Sequence, residues 1–275
     1  MKWILILSAS AALVSQGAAA TQAQCSELLR SGLDDKNPET RKQAVVALSL
    51  AGQSGPLFAR MEGMLQDKDV EVRQAVVVSL SEVKTRSATA ALLKALEDEV
   101  PEVSFTAAKA LWARNHPAGK QALLDILAGD SRTSSRFLSK QKREALRMMH
   151  TPRTTFLFAV HQGVGFVPVP GLGEGIASMQ AILTDSGVSG RASAALLLSN
   201  ERDSATLAAL KDALNDKEWS VRAAAVHALC LRNDPSFRKD LEPLLLDDKG
   251  PVRLRAAAGY LRLSEIEARR NKRKE

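Results

Sequence analysis

The side chains able to do chemistry in this 275-residue chain are few and poorly spaced for it. Four histidines, His116, His150, His161 and His227, are followed by Pro, Thr, Gln and Ala, and no two lie within one helical turn. The two cysteines, Cys25 and Cys230, are remote in sequence, so the spacing of a zinc or iron ligand set is absent and no metal is expected. His227 sits on an apolar stretch and reads as a core residue. The glycines of GVG (163–165) and GLGEG (171–175) miss the GxGxxG register, and neither a strand before them nor a Lys-Ser or Lys-Thr after them completes a phosphate loop. No serine occupies a GxSxG elbow. The expectation is a non-enzymatic protein with no cofactor and no catalytic residue.

What must position any functional surface is an internal repeat. Leu, any residue, Asp, then an apolar run closing on Leu recurs from Leu33, Leu65, Leu96, Leu183, Leu214 and Leu246. The aspartates are Asp35, Asp67, Asp98, Asp185, Asp216 and Asp248, and the closing leucines Leu48, Leu80, Leu111, Leu198, Leu229 and Leu261. An arginine follows the aspartate by six positions at Arg41, Arg73, Arg191 and Arg222; Ser104 replaces it in the third copy, and in the last Arg253 stands one place early. Runs such as QAVVVS, ASAALL and AAAVHA are too long and alanine-rich for strands and read as buried inner helices. Pro38, Pro101 and Pro251 mark their first turns, where a missing amide costs nothing. The segments before each aspartate (SELLRSGL, PLFARMEGML, SATAALLKAL, SATLAALKDAL, PSFRKDLEPLLL) are amphipathic outer helices. Alternating helix pairs of about 31 residues predict an all-α, right-handed α-solenoid of about seven repeats, inner helices lining its concave face.

The runs LNDKEWSVRAAAVHAL and LQDKDVEVRQAVVVSL resemble the HEAT-like repeats of the phycobilisome (PBS) lyase family over most of the chain. That resemblance implies a structural ladder between neighbouring repeats through Asp35, Arg41, Asp67, Arg73, Asp185, Arg191, Asp216 and Arg222. Bilin attachment belongs to particular members of the family and is not encoded by the repeats themselves. The deoxyhypusine hydroxylases, related helical-repeat enzymes, bind iron through His-Glu pairs, which none of the four histidines here matches.

The repeat spacings are 32, 31, 87, 31 and 32, so the array is interrupted after Leu96. One degenerate unit opens at Leu127, and an insert follows over 151–175. From the degenerate unit into the start of the insert run Arg132, Arg136, Lys140, Lys142, Arg143, Arg147 and Arg153 against Glu144, most of the chain's formal +7. Phe137, Phe156, Phe158 and Phe166 add four of the seven phenylalanines. Aromatics beside arginines are the usual anchors of an interface, which makes Arg136, Phe137, Lys140, Arg143, Arg147 and Phe166 the candidate contacts of an unidentified protein partner. The competing reading is a buried connector in which FLFAV and FVPVP pack inside the solenoid.

Met1–Lys2, an apolar run from Trp3 to Val14 and the small residues to Ala20 have the order of a signal peptide, about a dozen apolar residues where a spanning helix needs about 20. The expected organisation is a leader over 1–20, repeats over 21–150, the insert, repeats over 176–265 and a basic, solvated tail over 266–275. Export to the periplasm or the outside follows as an expectation and weighs against nucleic acid, leaving an anionic membrane surface as an alternative contact for the basic stretches. A cofactor-cradling, lyase-like accessory role is the other alternative. In an extended array Cys25 and Cys230 fall near opposite ends, too far apart to pair.

Overall fold

The computed structural model describes residues 21–51, 55–128 and 190–274. The leader, the insert, Asp185 and all six candidate contact residues from Arg136 to Phe166 lie outside them. Among the described residues every regular element is helical: α1 (21–33), α2 (Pro38–Leu48), α3 (Pro56–Gly63), α4 (Val70–Ser81), α5 (Arg86–Ala95), α6 (Pro101–Ala113), α7 (Pro117–Ala128), α8 (Gly190–Leu197), α9 (Ser204–Asp212), α10 (Trp219–Leu231), α11 (Arg238–Leu241) and α12 (Gly250–Lys272). The chain is an all-α solenoid.

Local chemistry sets the helix starts. Asn37 accepts from Glu39 N at 2.9 Å, Thr85 from Ala88 N at 3.1 Å and Asp203 from Thr206 N at 2.8 Å, each satisfying an amide that the first turn leaves unpaired. Asp69 caps α4 through Glu71 N and Val72 N. Pro38, Pro56 and Pro101 open α2, α3 and α6. After α6 and α10 the chain turns through Asn115 and Asn233 at φ 56° and 57°, the left-handed conformation that asparagine tolerates at a helix end. The last outer helix is not continuous: Pro243 lacks the amide an α-helix needs, and 235–246 splits into short 3-10 turns around α11.

Inner helices pack side by side through alanine, which lets their backbones approach closely. Ala107 and Ala108 of α6, Ala223 to Ala225 of α10 and Ala256 to Ala258 of α12 are all fully buried. Within each half the inner helices follow chain order: α2 on α4, α4 on α6, and α8 on α10, α10 on α12. The two halves then meet through α12 and α2, so the row runs α8, α10, α12, α2, α4, α6. Among the described residues its centre is the seam between the last repeat and the first.

This order overturns the expectation that Cys25 and Cys230 stand at opposite ends. Both thiols are free, buried and packed beside α12: a Cβ on Gly259 would lie 2.2 Å from Cys230 Sγ, and the Cys25 thiolate would repel the Tyr260 phenolate. The basic tail is helical for most of its length. It continues α12 as helix to Lys272, with Arg269, Arg270 and Lys272 exposed.

The last repeat carries a second correction. Leu245 is 7% exposed and Leu246 80%, and Asp247, not Asp248, accepts the Lys249 amide that closes the turn. The repeat is therefore framed one residue earlier, Arg253 falls in step with its counterparts, and the closing position is the buried Tyr260.

Candidate partner-binding surface

The aspartate of each repeat performs two tasks. Its carboxylate accepts the amide two residues on, at 2.7 Å for Asp35, 2.9 Å for Asp67, 2.8 Å for Asp98, and 2.9 Å for Asp216 and Asp247. At Asp67, Asp98, Asp216 and Asp247, though not at Asp35, it also receives the arginine of the preceding repeat. Arg41 donates Nε and Nη2 to Asp67, both at 2.8 Å; Arg73 donates the same pair to Asp98 at 2.8 and 3.1 Å, and Arg222 to Asp247 at 2.7 and 2.8 Å. The remaining nitrogen, Nη1, ties back to the arginine's own turn at the carbonyls of Asp35, Asp67 and Asp216. Arg191 binds Asp216 and Glu218 from a more exposed position. Ser104 makes no rung and instead donates to Leu96 O at 3.0 Å.

Burial opposes ionisation of Asp67, but hydrogen bonds from Arg41 and the Asp69 amide outweigh it and hold the carboxyl below its ordinary range. Asp247 is lowered in the same way against burial by Arg222 and the Lys249 amide. A carboxyl whose folded pKa is depressed contributes stability above its unfolded value, near 4, and loses it as pH falls through the lower folded value. Urea midpoints are therefore expected to stay level from about pH 5 to 8 and to fall below about pH 4, with a shallower acid slope in Asp67→Asn.

The seam lacks such a rung. Arg253 Nη1 reaches its own turn at Asp247 O, 2.6 Å, but no ion pair joins it to Asp35. The seam is held by Tyr260 against Thr21, by Leu254 against Gly32 of α1, by Arg255 to Gln43 at 3.1 Å and by Arg262 to Leu50 O at 3.2 Å. Arg255 is fully buried, and desolvation pulls it down to about 10. His227, on the neighbouring α10, is pushed down to about 3 by burial and by the charges of Arg255 and Arg262, so it is neutral at physiological pH. It is a core residue.

On the inner-helix face turned away from the outer helices, the second residue of α2, α4 and α6 is Glu39, Glu71 and Glu102. Lys42 Nζ bridges the first two, 2.7 Å from Glu39 and 2.9 Å from Glu71. Farther along α6 the Lys109 ammonium lies 5.3 Å from the Phe105 ring centre. Trp112 on α6 is 57% exposed, and Leu124 and Leu127 on the next helix, α7, are exposed as well. Sequence reasoning missed this face, although comparing residues at a fixed offset from each helix start picks out the three glutamates. Among the described residues, no group of three or more His, Cys, Asp or Glu side chains has metal-site geometry.

The HEAT repeats profile matches residues 58–138 and 176–262, more than half of the chain. No curated protein sequence matches. Among solved structures, human deoxyhypusine hydroxylase in complex with glycerol is similar at 17% identity and a TM-score of 0.34, covering 90% of this chain and 99% of that one. A designed armadillo repeat protein is similar at 15% identity and a TM-score of 0.25, covering 86% and 98%. With six stacked inner helices among the described residues, a repeated aspartate turn and a profile match over more than half of its length, the chain belongs to the HEAT repeat family.

Proposed function

We propose that this protein is a non-enzymatic scaffold that holds a protein partner on the inner-helix face, of the PBS lyase HEAT-like type within its family, and that it works outside the cytoplasm. One observation carries the reading: among the described residues, a row of helices cross-linked by bidentate ion pairs ends at α6, which exposes Trp112. A pre-ordered surface binds without a large ordering cost, and an exposed tryptophan on a rigid helix is the kind of residue that dominates binding energy. The basic, aromatic segment that follows in sequence, with Arg136, Phe137, Lys140, Arg143, Arg147 and Phe166, supplies further candidate contacts by its composition. The apolar run before Ala20 supports export. Among the described residues no helix is long and apolar enough to cross a membrane.

The test is photo-crosslinking in living cells from position 112, with position 211 on a regular outer helix as the control. One discrete protein captured from position 112 and not from 211 is the expected result; equal or absent capture from both sinks this reading. The exposed basic end of α12, with Arg269, Arg270, Lys272, Arg273 and Lys274, favours a second reading as an adaptor on an anionic membrane surface. Sedimentation with phosphatidylserine vesicles, lost on truncation after Ala268, tests it.

A further inference from the structure

Three arginines in this molecule show a common arrangement. In Arg41, Arg73 and Arg222, Nη1 is held by backbone carbonyls, while the Nε and Nη2 edge grips one carboxylate through two parallel hydrogen bonds. That edge matches the spacing of carboxylate oxygens, which is why arginine is selected for the task. Arg255 repeats the arrangement with one part missing. Its Nη1 donates to Pro251 O and to Gln43 Oε1, both at 3.1 Å, and its Nε and Nη2 have no partner although the side chain is fully buried. The neighbouring acid, Glu39, is engaged elsewhere: its Oε1 accepts from Gln43 Nε2 at 2.8 Å and its Oε2 pairs with Lys42 Nζ at 2.7 Å. His227, also buried, leaves Nδ1 without a partner.

A buried guanidinium with two unsatisfied donors is costly, and apolar side chains of the same size fill such a place more stably. We infer that Arg255, positioned by Gln43, is the recognition group of a carboxylate-binding site at the seam between the last and first repeats. The site lies where α12 and α2 are neighbours in the row without being neighbours in sequence. The carboxylate is either that of a small free acid or an Asp or Glu side chain of a partner chain. The site stands apart from the partner-binding reading, because a small carboxylate would occupy it whether or not a protein docks on the inner-helix face.

The experiment is thermal unfolding of the full chain in sodium acetate against sodium chloride at equal ionic strength. A parallel arm uses an N-acetylated, C-amidated alanine-glycine peptide carrying one glutamate, against the same peptide with glutamine. Wild-type protein is expected to gain about 3 °C in acetate over chloride, and Arg255→Met, which removes the fork but fills its volume, to gain nothing. Arg255→Lys keeps the charge without the fork and is expected to weaken the acetate response about tenfold in concentration, giving a second measure should the methionine variant fail to fold. Stabilisation by the glutamate peptide alone, lost in the Arg255 variants, also upholds the site and assigns the carboxylate to a partner chain. Equal acetate responses in wild type and the Arg255 variants, or no response to either carboxylate in wild type, overturn it.

Discussion

Asp67→Ala is expected to destabilise the protein by about 3 kcal/mol, because it strands a largely buried guanidinium. Arg41 donates both nitrogens of its planar edge to that carboxylate, and the two side chains are only 8% and 10% exposed. The same change removes the acceptor of the Asp69 amide, so the turn before α4 loses its lock together with the rung. Pairing the change with Arg41→Met is expected to recover most of the loss, to within about 1 kcal/mol of wild type, since what costs is the unpaired buried charge and not the absence of the pair. Asp247→Ala is the internal comparison. There Arg222 Nη2 already reaches Asp248 at 2.8 Å, and a second acid stands ready to take the charge, so a smaller loss is expected. Urea unfolding measures the totals, and hydrogen exchange along α2 and α4 locates them, which matters because repeat arrays need not unfold as one unit. Equal losses for Asp67→Ala and Asp247→Ala would show that the turn, and not the rung, dominates.

The repeat was legible because it is written in residues that each have one physical task. Proline at a helix start, aspartate in the turn and arginine six places later can be found by spacing alone, and alanine runs identify the helices that must approach closely. What spacing cannot express is which copy touches which. Every inner helix presents similar faces to its two neighbours, so the same sequence is compatible with a row in chain order or with the observed row in which α12 meets α2. The side chains that distinguish the seam are departures from the repeat: Arg255 and Gln43 where α10 has Ala224 and α4 has Ala75, and Tyr260 where the other copies close on leucine. The framing of the last copy was obscured by duplication. Leu245 and Leu246 stand side by side, as do Asp247 and Asp248, and only burial separates the buried leucine and the turn aspartate from their neighbours. The inner-face glutamates escaped notice for another reason. They lie outside the Leu-Asp-Arg signature, and their significance depends on lateral stacking that places Lys42 between two of them.

Tyr260→Ala carries the other large expected effect, about 3 to 5 kcal/mol, for loss of a buried aromatic side chain. Its consequence is local before it is global. Tyr260 is 2% exposed, hydrogen-bonded with Thr21 at the start of α1, and lies with its ring centre 5.7 Å from the Arg238 guanidinium. It therefore ties the last repeat to the first helix of the chain. Cys25 and Cys230 report on that tie without any added probe: burial pushes both thiols up to about 12, leaving little thiolate at neutral pH, and both are sealed in the folded protein. With iodoacetamide, wild-type protein is expected to label slowly and Tyr260→Ala at least about tenfold faster at Cys25 under conditions where the fold persists, because the helix carrying Cys25 is released from α12. The control is Leu80→Ala, which removes a fully buried side chain of comparable weight between α4 and its neighbours, away from the seam. If both variants expose Cys25 equally, labelling follows overall stability and the seam is no weaker than the joints between successive repeats. If only Tyr260→Ala does so, the row parts first where its two ends of chain meet, which is also where Arg255 awaits a carboxylate.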